Sequence, residues 1–145
     1  MRSISGGGRT RLAMIAVAVS VGLAACDNTV DDTGITPPTQ PTTTVTDTFT
    51  GSINVNGAAT HTFAVSFGGA VAATLTTIAP EGTVAGLSLG TWNGAVCAIA
   101  LAKDDAIQGN TVTATASSPG TLCVRIQDTG KITAATVYTI SVVHY

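Results

Sequence analysis

Residues 49 to 145 of this chain are predicted to form an all-β sandwich of about eight antiparallel strands. Three observations support this. Apolar residues alternate with polar ones in short runs, Gly, Pro or Asn interrupts those runs about every 10 residues, and no 3.6-residue period persists anywhere in the segment. Aromatics make up only 4% of the chain and charged residues 10%. Threonine, valine, alanine and glycine must therefore build most of the fold, and the first two suit a pleated, half-buried surface.

The chain begins differently. Arg2, Arg9 and Arg11 precede "LAMIAVAVSVGLAA" (residues 12 to 25), in the order of a secretory signal with a basic region followed by an apolar one. The apolar run is shorter than the roughly 20 residues that span a bilayer. Cleavage after residue 25 is expected. Loss of the leader would leave Lys103, Arg125 and Lys131 against eight carboxylates, a net charge of −5. That balance opposes the phosphate attraction on which nucleic-acid binding depends, so no nucleic-acid partner is expected.

Residues 27 to 48, "DNTVDDTGITPPTQPTTTVTDT", are rich in Thr and Pro and nearly free of large apolar side chains, so they have too little surface to bury and read as a disordered tether. Proline-rich chain rises about 3.1 Å per residue, which would hold a domain up to about 60 Å from its anchor.

Within the domain the predicted strands are 48 to 55, 61 to 67, 70 to 78, 84 to 92, 96 to 102, 111 to 117, 121 to 127 and 136 to 144. Asn56-Gly57, Gly68-Gly69, Pro80-Glu81-Gly82, Asn93-Gly94, Gly109-Asn110 and Pro119-Gly120 separate them and read as hairpin turns. Alternation assigns Phe63, Val65, Phe67, Leu87, Leu89, Leu122, Val124, Ile126, Tyr138, Ile140 and Val142 to the core face. Strand 96 to 102 is apolar on both faces, so alternation does not orient it, and a central strand covered twice is one arrangement that fits.

Leu23-Ala24-Ala25-Cys26 resembles the lipobox of bacterial lipoproteins at all four positions. The resemblance implies a cleaved signal peptide (1-25), a lipid-anchored tether (26-48) and Cys26 as the residue whose thiol takes up the lipid. The partner there is a membrane lipid, and the location is the bacterial cell envelope, facing the periplasm or the exterior. Asp27 resembles the inner-membrane retention signal of enterobacterial lipoproteins, a rule that varies between bacterial groups, so the choice of membrane stays open.

Four segments in order, "FTGSINVNGAATHTFAVSFGGAVAATL", "VAGLSLGTWNG", "SSPGTLCVRIQD" and "VYTISVVH", resemble the bacterial pre-peptidase C-terminal domain. That likeness implies a jelly-roll-like sandwich and a binding or secretion-assisting role without catalysis. Where the family carries acidic residues and a Tyr-Phe pair, this chain has His61-Thr62-Phe63, and a role tied to those acids does not carry over.

Few residues in the domain carry chemistry. His61 and His144 are the only histidines, and neither sits in a nucleophile-base motif, so both are expected to face solvent and no enzyme is expected. Nitrogen and sulfur ligands are too few for a metal centre, and no cofactor is implied. Lys103-Asp104-Asp105 with Gln108 and Asn110 groups oxygen atoms that Ca²⁺ could use, in a spacing that matches no EF-hand loop and fits a solvated turn as well. Trp92, the only tryptophan, and Asn93 beside it are the candidate binding residues, set against a role for Trp92 in capping the core. Arg125 is expected on the sheet surface near Asp128. Once Cys26 is acylated, Cys97 and Cys123 are the remaining thiols in an oxidising compartment, and they are expected to pair. Together these features point to a non-enzymatic envelope lipoprotein that presents a binding or adhesion module to an envelope protein or a glycan. The alternative is a structural or assembly accessory that packs against another envelope protein or secreted enzyme.

Intact-mass analysis of membrane-extracted protein should show a chain that begins at Cys26 and carries acyl mass. A Cys26→Ser variant should lose that mass. A mature chain that starts elsewhere, or that carries no lipid, would refute the assignment.

Overall fold

A computed structural model of the chain describes residues 43–145. The expected signal peptide, Cys26 and the tether up to residue 42 lie outside the described residues. Eight strands follow: β1 (Val45–Ile53), β2 (Ala58–Val65), β3 (Gly69–Ala79), β4 (Ala85–Trp92), β5 (Cys97–Ala106), β6 (Thr111–Ala116), β7 (Gly120–Gln127) and β8 (Thr136–His144). They form two antiparallel four-stranded sheets, ordered β1-β8-β3-β6 and β2-β7-β4-β5. This is the double-sheet order of a jelly roll.

The order corrects the reading of the turns. Of these consecutive strands only β4 and β5 are hydrogen-bonded neighbours, so only the Asn93-Gly94 turn closes a hairpin within one sheet. The other connections pass between the two sheets. Turn chemistry specifies that the chain reverses, not which strand receives it. Asn56, Gly82, Gly94 and Gly109 do take positive φ, at 58°, 78°, 97° and 86°.

β1 also starts earlier than expected, with Val45 paired to His144, so residues 45 to 48 are strand rather than tether. Threonine-rich chain is compatible with both states, and it becomes strand where β8 supplies hydrogen-bond partners.

The two inner faces meet in an aliphatic core in which Leu75, Leu87, Ile126, Ile140, Val124 and Val142 are fully buried. Phe63, Val65, Leu89 and Tyr138 join them as alternation predicts, and Leu122 is half-buried against the same core. Phe67 does not join: β2 ends at Val65, and the ring is 53% exposed. In β3 the core residues are Val71, Ala73 and Leu75, then Ile78. The extra residue, Thr76, sits where the register with β8 shifts, and a bulge of this kind moves the alternation by one position.

β5, which alternation left unoriented, is not a doubly covered central strand. It is the edge of its sheet, and Ala98 to Ala102 are all exposed. Its register against β4 slips twice, between Ala85 and Leu87 and between Leu89 and Gly90, each time by one additional β5 residue. Bulges twist an edge strand away from regular pairing.

The second slip lies beside the disulfide. Cys97 and Cys123 are bonded, with Cα atoms 5.9 Å apart, although β4 lies between their strands in the sheet order. Gly90 makes this approach feasible. It pairs with Cys123 on one side and Ile99 on the other, and a Cβ placed on it would collide with the backbone carbonyl of Ala98.

Gly90→Ala should therefore destabilise the domain by about 1–3 kcal/mol, because backbone rather than a flexible side chain occupies the space. The disulfide joins residues 26 apart in sequence, and the chain-entropy model gives about 3 to 4 kcal/mol for closing such a loop. Thermal melts of wild type, Gly90→Ala and reduced wild type should rank in that order of decreasing stability. An unchanged transition in either altered sample would contradict the corresponding claim.

Candidate functional site

The outer face of the β2-β7-β4-β5 sheet is built on a column of small residues. Gly86, Ser88 and Gly90 alternate along β4, and all three are buried although they point away from the core. The neighbouring strands β7 and β5 cover them. A Cβ on Gly86 would sit 3.0 Å from the Gln127 side chain, Ser88 pairs with Arg125 and donates its hydroxyl to that residue's carbonyl at 3.3 Å, and Cys123 pairs with Gly90.

The column ends at Trp92, which is half-buried, opposite Cys97 in the register and outside the core cluster. It does not cap the core. Val96 at 59% and Ile99 at 42% exposure flank the disulfide, and Leu101 is 43% exposed on the other face of β5. Asn93 serves the fold, because its Oδ1 accepts the N–H groups of Ala95 and Val96, both at 2.9 Å, and so closes the β4-β5 turn.

Arg125 is half-buried on the same face, and its Nε is buried without a hydrogen-bond partner. The expected neighbour, Asp128, is engaged elsewhere. Its Oδ1 accepts the N–H groups of Gly130, Lys131 and Ile132 at 2.7, 2.9 and 3.0 Å, and its Oδ2 accepts that of Asn56 at 2.8 Å. Asp128 thereby ties the β1-β2 turn to the loop after β7, and those backbone donors hold its carboxyl below the usual range. The Asp-Thr-Gly sequence carries the signal for such a side-chain turn.

A cavity of about 210 Å³ opens between the sheets behind β5, lined mainly by Val71, Leu89, Ala100, Ala114 and Leu122, with hydroxyls of Ser117 and Thr121 at its margin. Of the residues considered for calcium, Lys103, Asp104 and Asp105 lie in β5 rather than in a turn, and only Gln108 and Asn110 belong to the loop after it. Asn110 Oδ1 accepts the N–H of Ile107 at 3.2 Å, Gln108 Oε1 accepts a long bond from Ile78 N–H at 3.5 Å, and Asp105 pairs with Lys103 at 3.0 Å. Among the described residues no group of three or more His, Cys, Asp or Glu is arranged to hold a metal ion.

Contrary to the expectation from sequence, the histidines do not face solvent. Both point into the seam where β1 and β8 of one sheet meet β2 of the other. The His61 ring stacks on Phe49 with centroids 4.8 Å apart, and its Nε2 is hydrogen-bonded to Tyr138 Oη at 2.8 Å. Gly51, opposite Tyr138 in the β1-β8 ladder, leaves room for the phenol: a Cβ there would lie 2.5 Å from the hydroxyl. His144 is 3% exposed, pairs with Asp47 at 3.1 Å and packs against Phe63. Desolvation lowers the His61 pKa and raises that of Tyr138. The signal was present in the sequence: His61 shares parity with Phe63 and Val65, and His144 with Tyr138, Ile140 and Val142.

No family model matches the chain, and no curated protein matches it in sequence. Among solved structures it is similar to PliG of Aeromonas hydrophila, a periplasmic lysozyme inhibitor of g-type lysozyme. The identity is 13% and the TM-score 0.47, over 68% of this chain and 84% of that one.

Because the fold favours neutral His61, the unfolded chain takes up the proton first as pH falls through 6.5. Stability should decline from that point down to the lowered native pKa. His61→Phe should flatten this part of the profile, measured by denaturant unfolding between pH 7.5 and 5 (roughly one unit either side of an ordinary histidine pKa). The Asp128 contribution follows the opposite rule: it is present above the carboxyl's ordinary value of 3.8 and is lost only as pH falls further. Identical profiles for wild type and His61→Phe would refute the first assignment.

Proposed function

We propose that this chain is a non-enzymatic lipoprotein of the bacterial envelope, anchored through Cys26, whose jelly-roll domain serves as a protein-binding module. The observation that carries the reading is β5, an edge strand with five consecutive exposed residues, Ala98 to Ala102, and aliphatic Ile99 and Leu101 among them. Exposed aliphatic side chains gathered on one edge strand, Ile99 on its outer face and Leu101 on the other, offer apolar surface to a partner. Elsewhere the groups capable of chemistry hold the fold together: His61 to Tyr138, His144 to Asp47, and Asp128 to four backbone N–H groups. The Leu-Ala-Ala-Cys sequence and the Thr/Pro-rich segment after it support anchoring and display away from the membrane.

A protein ligand is favoured over a glycan because the exposed groups are aliphatic and Trp92 has no second aromatic beside it, among the described residues, to form a stacking platform.

A photo-crosslinking amino acid at position 99 of the full-length protein, in its own envelope, should give light-dependent adducts with a second protein. The same group at position 137, 57% exposed on β8 of the other sheet, should not. Absence of adducts at position 99, or equal yields at both positions, would overturn the binding reading.

A further inference from the structure

We propose that the outer face of β7, β4 and β5 docks a segment of a partner protein that presents a carboxylate beside an aliphatic side chain, with Arg125 receiving the carboxylate and Ile99 and Trp92 the aliphatic group. This rests on the protein-binding reading above and specifies its partner chemistry.

The register places the three residues on one surface. Arg125 lies opposite Ser88, Cys123 and Ile99 lie on either side of Gly90, and Trp92 lies opposite Cys97. Same-face residues recur about every 6.8 Å along a strand, so the patch is roughly 14 Å long, and it is narrower than a regular three-strand face because the Cα atoms of Cys97 and Cys123 lie 5.9 Å apart. That is the scale of an interface hot spot, and Trp and Arg are the residue types enriched there. The disulfide runs through its middle and holds β5 to β7. Small residues beneath the patch keep it shallow, since Gly86, Ser88 and Gly90 raise no long side chains through it.

Charge then selects the partner. Lys103 is neutralised by Asp105 at 3.0 Å, and Lys131 also lies close enough to lower the Asp105 pKa. Arg125 has no carboxylate within 4.0 Å among the described residues, and its side chain donates no hydrogen bond to them. Its neighbours across the sheet, Thr60 and Ser88, are neutral. A net-negative domain thus leaves one guanidinium, its Nε buried, without a carboxylate partner among the described residues, next to exposed aliphatic carbon. One cation is too few to hold an anionic membrane, where each basic residue contributes about 1 kcal/mol.

Trp92 is the only tryptophan in the chain, so intrinsic fluorescence reports directly on the patch. The full mature chain should be titrated with the peptide amide VLELV and with the VLQLV and VLKLV versions. The Glu peptide should give a saturable change in Trp92 emission, with affinity at least ~5-fold above the Gln peptide, and the Lys peptide should give none, in line with the greater strength of charge-assisted bonds. Arg125→Gln should erase the preference for Glu over Gln with little change in melting temperature, and Arg125→Lys should restore part of it. No saturable signal, a preference that survives Arg125→Gln, or a signal that tracks self-association in sedimentation would overturn the proposal. If the peptides fail while position 99 still crosslinks a protein, the charge assignment falls and the binding module stands; if both fail, both fall.

Discussion

Steric room over Gly90 is the constraint on which the β7-β4-β5 region depends. A side chain at that position would meet the carbonyl of Ala98, and its absence lets the bulged β5 edge fold across β4 far enough for Cys97 to reach Cys123. The bulge, the glycine and the disulfide are thus one device. The bulge turns β5 out of regular pairing, the glycine accepts the closer backbone, and the covalent bond holds the result. In a sandwich with few aromatics to fill its core, a crosslink that restricts the unfolded chain provides stability that packing does not.

The same crossing shapes the candidate binding face. Because the outer positions of β4 are filled by glycine and serine, no long β4 side chain rises between Arg125 on β7 and Ile99 on β5, and the disulfide joins the two strands there. Edge strands are ordinarily protected from adventitious pairing, and the two β5 bulges give that protection to the main chain. The aliphatic side chains remain available. This combination suits recognition by side-chain contact rather than by addition of a further strand.

The opposite flank of the sandwich is closed by a different means. There β1 and β2, the edge strands of their respective sheets, face each other across the Phe49, His61, Phe63, Tyr138 and His144 rings. Imidazoles fill space as aromatics do and also bridge polar partners on the neighbouring strand or sheet, which explains how a domain with a single tryptophan and few phenylalanines closes its seam. The two flanks therefore divide the work: rings and hydrogen bonds seal the side where β1 begins, and a crosslink braces the side that stays open.

Much of this architecture was legible in the residues themselves. Period-two alternation in β2, β4, β7 and β8 determined which side chains enter the core, because a pleated strand sends successive residues to opposite faces whatever its neighbours are. Gly, Asn and Pro determined where the chain turns, since only a few residues adopt those backbone angles freely. The cysteines left in the domain pointed to their own pairing. What the sequence could not decide was set by contacts distant along the chain. The apolar run of β5 reads as a buried strand, and only the sheet order makes it an edge. His61 and His144 follow the core parity, yet their burial depends on β1 and β8 arriving opposite β2. The side chains of Asn93 and Asn110 resemble ligands until the backbone N–H groups that occupy them are in place. Local alternation and turn chemistry act within a few residues, whereas exposure, pairing and the use of each polar group depend on which strand lies beside which. In a jelly roll whose consecutive strands mostly sit in different sheets, only the tertiary fold decides that.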